Sequence, residues 1–202
     1  MSGLSLILTH GRVLRSGAKQ PERLDLGVGE DGRIAALAPT LSPSGAKQAI
    51  DLRGRLVVPG LVDAHQHLDK SRARRSIHNP SNTLAGASAA YRAYAATATV
   101  EDIMARAERT LDICIAHGTV AIRSHTNIES ESGLRGIEAM IELRRRWRDR
   151  LTLQVVAHLT SDAPRKLQAS RQWLEAAIAA AVEMLINMHI KRQSASLGEL
   201  EK

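Results

Sequence analysis

The feature that most constrains this chain is a change of pattern at Pro59–Gly60. Beyond it, short apolar runs suited to strands alternate with longer segments of helical period. Leu61–Val62 leads into the first run, Thr119–Ser124 forms the second and Leu151–His158 the third. Helical patterns lie at about Val100–His117, Gly133–Arg148 and Pro164–Val182. Alternation of this kind predicts a parallel sheet wrapped by helices. Only three strands follow Pro59, whereas a closed (β/α)₈ barrel takes about 250 residues. The expected fold class is therefore α/β, with the first three βα units of an incomplete barrel over residues 59–182.

Local signals support the alternation. Thr99 stands where a helix N-cap belongs, with Glu101 and Asp102 in the first turn, where the helix dipole favours anions. Ile103, Ala107, Leu111 and Ile115 recur every four residues and so share one face. Gly118 then occupies the place of a left-handed C-terminal residue. In the next helix Ile137, Met140, Ile141 and Leu143 form the apolar face. Before Pro59 the pattern is of strands. Leu4–Leu8 and Val13–Leu14 flank Gly11, and Leu24–Val28 is joined to Ile34–Leu37 across Glu30-Asp31-Gly32, a hairpin signal. A Pro- and Ser-containing loop separates these from Ala49–Leu52 and Leu56–Val58, so residues 1–58 read as a small β unit.

Composition narrows the function classes. There is no Phe, and Tyr91, Tyr94, Trp147 and Trp173 are the only aromatic side chains, so the core is expected to be Leu, Ile, Val and Ala. That inventory argues against modules that stack bases on aromatic platforms. The net charge of +7 comes with clusters at Arg72, Arg74 and Arg75 and at Arg144, Arg145, Arg146, Arg148 and Arg150. The second cluster points several ways round a helix, so a solvated face explains it better than nucleic acid does. Cys114 is the single cysteine, which excludes an internal disulfide framework and suits a reducing compartment. No apolar run reaches membrane-spanning length and no charged-then-apolar leader opens the chain. These features predict a cytoplasmic protein.

The chemistry-bearing motif is His65-x-His67. Residues i and i+2 of a strand point to the same side, so both imidazoles can face one divalent ion such as zinc or iron. The pair closes an apolar run at the end of the first strand, and in parallel barrels such ends carry the chemistry. His125 ends the second strand and His158 the third, which makes both candidates to line the same site. His10, His78, His117 and His189 read as turn, loop or helix-end residues.

Val58-Pro59-Gly60-Leu61-Val62-Asp63-Ala64-His65-Gln66-His67-Leu68-Asp69-Lys70 resembles the first barrel strand of the amidohydrolase superfamily, in its cytosine deaminase-like branch. Gly118–Asn127 resembles that branch's second strand and Leu151–Ala157 its third. The resemblance implies a small β-sandwich part over residues 1–58 beside a (β/α)₈ barrel. It also implies hydrolysis of a non-peptide C–N bond in a cyclic or linear amide or amidine by metal-activated water. Carried over, His65 and His67 match the two metal ligands of the first strand. Asp69, Lys70, His125 and His158 are the residues placed to contact a small amide or amino-heterocycle substrate.

The family's fifth-strand His and Glu and its eighth-strand Asp have no counterpart in this sequence, so no catalytic residue is assigned. Where cytosine deaminases carry a substrate-binding Gln after the third strand, this chain reads His158-Leu159-Thr160-Ser161-Asp162, which argues against cytosine itself. Residues 183–202 depart from the family pattern and are expected to form a loosely held tail. The sequence thus predicts a truncated, catalytically incomplete amidohydrolase. The alternative is a non-enzymatic, degenerate relative acting as an interaction protein. A sheet edge left unpaired is expected to favour self-association.

Overall fold

The computed structural model describes residues 4–159, together with Gln172, Glu175 and Ala176. The expected helix over Pro164–Val182 and the tail from Glu183 onward lie outside the described residues. The chain is mixed α/β and divides into two compact units, Met1–Pro59 and Gly60 onward.

The first unit is one five-stranded sheet made of β1 (Leu4–Val13), β2 (Glu22–Gly29), β3 (Ile34–Ala38), β4 (Ala46–Asp51) and β5 (Leu56–Val57). Its order is β3-β2-β1-β4, with β5 also pairing β1. The Asp-Gly hairpin forms as expected: Gly32 adopts φ 76°, and Asp31 Oδ1 accepts from the Arg33 amide at 3.0 Å. The sequence reading split the first strand at Gly11, but β1 runs through it. The interruption is a bulge: pairing with β2 shifts between Leu8 and Gly11, and His10 takes φ 54°. His10 is tied there by its amide to Asp25 Oδ1 at 2.8 Å and by Nδ1 to Asp51 at 3.0 Å.

The second unit is built on a three-stranded parallel sheet of β6 (Leu61–Gln66), β7 (Thr119–Ile128) and β8 (Thr152–Leu159), in that order. The period-2 pattern and the family resemblance predict the His-x-His strand flanked by those starting near Thr119 and Leu151. In the structure β7 holds the centre and β6 pairs with β7 alone among the described strands. Three helices follow the connections: α1 (Leu84–Thr97), α2 (Val100–Ala116) and α3 (Arg135–Trp147). Thr99 caps α2 by accepting from the Asp102 amide at 3.2 Å, and Gly118 takes φ 88° just before β7.

Helix α1 was not expected. Its sequence, LAGASAAYRAYAAT, is dominated by small residues and buries only Ala95, so it lacks the apolar stripe that reveals a helix. Its start signal was present all the same: Thr83 Oγ1 accepts from the Gly86 amide at 3.1 Å. The C-terminal carbonyls of α1 and its cap are held from outside. Arg135 donates to the carbonyls of Ala95 and Ala98 at 2.7 and 2.9 Å.

The core lies between the parallel sheet and α2 and α3. Ile103, Ala107 and Leu111 of α2 meet Ile137, Met140 and Leu143 of α3 and Ile122, Leu153 and Val155 of the strands. Ile115 and Cys114 are half-buried against the same cluster. Trp147 and two methionines, Met104 and Met140, supplement the aliphatic side chains expected there. The arginines at the end of α3 are solvated: Arg145 and Arg146 both pair with Glu142 on the exposed surface. Among the described residues, no helix is long and apolar enough to cross a membrane.

Candidate active site

The four histidines singled out at strand ends come together. His65 lies one residue before the end of β6 and His67 just beyond it, with ring centroids 5.3 Å apart. His125 of β7 stacks on His65 at 4.1 Å and lies 6.0 Å from His67. His158 of β8 lies 6.0 Å from His67. All four belong to the C-terminal ends of parallel strands, where the strand pleat and pairing register set their positions.

Two local devices shape this end of β6. Pairing with β7 runs from Asp63↔Ile122 to Gln66↔Ser124, so β6 carries one extra residue at the His65 level. Bulges of this kind re-aim a side chain. Beyond His67 the chain turns sharply through a single 3-10 turn, Leu68–Lys70. Leu68 is fully buried and its amide donates to Ser124 Oγ at 3.2 Å, which pins the turn to β7.

The electrostatics favour the neutral form of three of these imidazoles, His67, His125 and His158. Burial, and then the Lys70 ammonium and His158, push His67 down to about 4. His125 is lowered by burial and then by His65 and Arg123, and His158 by burial and then by Lys70. Neutral imidazole is the form that binds a metal ion. The Nδ1 atoms of His67 and His125 are buried without a hydrogen-bond partner, which leaves nitrogen lone pairs or N–H groups uncommitted. As a pair, His65 and His67 fit two imidazole ligands of a divalent ion. Among the described residues no set of three or more His, Cys, Asp and Glu side chains is disposed to hold one.

Asp69 and Lys70 are placed differently from each other. Asp69 is buried, and its Oδ2 accepts the Asn127 amide at 3.1 Å while Oδ1 has no partner. Burial raises its carboxyl to about 6 against the pull of Lys70. Lys70 is half-buried, with Nζ 5.4 Å from the Tyr91 ring centroid. Asp69 therefore faces the interior, and Lys70 supplies the positive field felt by His67 and His158.

Sequence reasoning missed a polar layer behind these residues. Asn127, Glu129 and Arg106 are all buried. Asn127 donates through Nδ2 to Glu129 Oε1 and meets His158 Nδ1 through Oδ1 at 3.1 Å. Arg106 donates to the carbonyls of Asp69 and Ser71 at 3.1 and 2.6 Å, and through Nε to Asp102 at 3.0 Å. A small pocket lined by Asp69, Tyr91, Tyr94, Arg106, Asn127 and Ser132 lies beside it. No motif announces such a layer, although Asn127 directly opposite His158 follows once the β7–β8 register is known.

The sequence profile of the amidohydrolase family, described as Amidohydrolase family, matches residues 48–199. A pterin deaminase of Rhizobium rhizogenes is 32% identical over 128 residues, covering 63% of this chain and 29% of that protein. An N-isopropylammelide isopropyl amidohydrolase of Pseudomonas sp. is 32% identical over 121 residues, covering 57% of this chain and 30% of that protein. The crystal structure of N-isopropylammelide isopropylaminohydrolase from Burkholderia multivorans superposes with a TM-score of 0.71 at 27% identity, over 89% of this chain and 44% of that one. The matched stretch thus spans less than a third of the length of these two curated relatives.

Proposed function

The chain belongs to the amidohydrolase family, and on that premise we propose that it carries the first-strand metal ligands and part of the substrate wall of a metal-dependent C–N hydrolase. The substrate class is a small cyclic or linear amide or amidine, in keeping with relatives named for pterin and N-isopropylammelide. In this reading β1–β5 contribute to the family's small β-sandwich, and β6 to β8 are the opening strands of its barrel. The observation that carries the reading is the convergence of His65, His67, His125 and His158, from three strands, at one end of a parallel sheet.

The roles divide by chemistry. His65 and His67 hold a divalent ion, zinc or iron, which supplies Lewis acidity and an activated water when bound. Burial keeps His67 neutral and ready to ligate at physiological pH. His125 and His158 form the wall beside that pair, and Lys70 sets its positive potential. Asp69 holds the turn after β6 against the Asn127 amide and so fixes where His67 and Lys70 stand. General acid–base catalysis is typically worth about 10²–10⁴-fold. In this reading none of these residues takes that role, and the chain by itself is catalytically incomplete.

The test is calorimetric titration of the purified chain with zinc, paired with an ammonia-release assay against amino-heterocycles. Weak zinc binding that disappears in His65→Ala and in His67→Ala, without enzymatic turnover, is the expected result. Zinc affinity indifferent to both substitutions would overturn the metal assignment. Turnover abolished by His65→Ala would overturn the incompleteness.

A further inference from the structure

We propose that the pocket behind the turn after β6 is a binding site for one ordered water molecule, which bridges Arg106 Nη2 to Asp69 Oδ1. The inference is independent of the metal assignment and of turnover. Two uncommitted polar groups carry it. Arg106 is 7% exposed, and two of its three guanidinium nitrogens are spent. Its Nε donates to Asp102, and Nη1 donates to the carbonyls of Asp69 and Ser71. Nη2 is buried with no hydrogen-bond partner. Asp69 is 3% exposed; its Oδ2 accepts the Asn127 amide, and its Oδ1 is buried with no partner. Both side chains line one pocket, whose wall also includes Ala95, Ala98, Ile103 and Gly136.

The chemistry of the occupant follows from this lining. A buried donor or acceptor left without a partner costs its full desolvation, and a charged group costs more than a neutral one. A metal cation here would face the Arg106 guanidinium, and an anion would face the Asp69 carboxylate, so the site favours a neutral molecule. A guanidinium only donates and a carboxylate oxygen accepts, so the occupant must accept from Arg106 and donate to Asp69. Water does both at once, and the pocket has room for about one water molecule. Arg106 belongs to α2, and Asp69 to the 3-10 turn that directly follows His67. Arg106 already holds the backbone of that turn through the Asp69 carbonyl at 3.1 Å. The water extends this hold to the Asp69 side chain, and through its Oδ2 to β7.

The test is solution NMR of the isotope-labelled 202-residue chain, with water-selective NOE and ROE spectra. The Ala95 and Ala98 methyl groups and the Asn127 amide are expected to show cross-peaks to water with the sign of a long-lived bound molecule. Their absence would overturn the inference. The hydroxyl protons of Tyr91, Tyr94 and Ser132, on the same wall, exchange with solvent and relay a similar signal. Ala95→Val separates the two sources, because it fills the pocket and keeps all three hydroxyls. Loss of the Ala98 cross-peak in this variant supports the bound water, and its persistence overturns it. Dissolved xenon gives a second measurement that needs no variant. Xenon enters dry apolar cavities, so a pocket holding water is expected to leave the Ala95, Ala98 and Ile103 methyl shifts unchanged. Xenon-dependent shifts at these methyls would mean a dry cavity and overturn the proposal. Should Ala95→Val not fold, the unaltered chain with and without xenon decides.

Discussion

The two units of this chain spend their apolar residues differently. In the first, Ile7, Val13 and Leu26 are the buried apolar side chains, while Ile34, Leu37, Ile50 and Leu56 stand exposed on the same sheet. In the second, two helices lie on one face of the parallel sheet and close a continuous core with fully buried Leu111, Ile137, Met140, Leu143 and Val155. A sheet buries a face only when another layer covers it. Among the described elements the first unit has no helix longer than a single 3-10 turn, and the second has three. The polar ends of the strands in the second unit can therefore be organised for chemistry because the opposite face already supplies the stability.

The sharpest way to break that comparison is to remove one apolar side chain from each unit. Leu143→Ala is expected to lower unfolding stability by about 2–5 kcal/mol, through lost burial and the cavity left behind. Ile50→Ala, at a side chain 41% exposed, is expected to cost less than about 1 kcal/mol. Equal losses in urea unfolding would show that the first unit is packed as tightly as the second.

A smaller effect is expected at the helix starts. Thr99→Ala removes the acceptor for the Asp102 amide at the head of α2 and is expected to cost about 1 kcal/mol. Since α2 faces the core along its length, the loss should appear in the thermal midpoint of the second unit. A thermal midpoint unchanged by Thr99→Ala would mean that packing alone holds α2.

The smallest effect belongs to the solvated end of α3. Hydrogen bonds from Arg145 and Arg146 pull the Glu142 carboxyl from its ordinary 4.5 to about 2. Because the folded value lies below the unfolded one, the pairs contribute stability above about pH 4.5 and lose it as pH falls toward 2. The Glu142 carboxyl and its arginine partners lie at the surface, so solvent screens these pairs and their share of stability is small. Carbon NMR titration should return the Glu142 midpoint toward 4.5 when Arg145 and Arg146 are both changed to Ala. A midpoint that stays near 2 would place the cause elsewhere.

Elements whose signal lies within a few neighbouring residues were legible in the sequence. The Thr99 cap, the four-residue period of α2, Gly118 and the Asp31-Gly32 hairpin each act locally, and each forms where the residues indicate. The placement of His65, His67, His125 and His158 towards strand ends is legible in the same way, because a strand end is legible once the strand is. Helix α1 escaped because alanine carries helix propensity without the periodicity that marks a buried face.

The amino-acid sequence by itself determined the order of strands and helices, α1 excepted, and the histidines at the strand ends. Tertiary structure alone decided three things: that β7 lies at the centre, how the imidazoles approach one another, and which polar groups become buried. Asp69, Arg106, Asn127 and Glu129 are scattered over three segments of chain, and all but Asp69 read on their own as ordinary surface residues. Their meaning is non-local. A buried carboxylate, guanidinium or amide is defined by the partners that folding brings to it, and those partners come from another strand or helix, which no local pattern records.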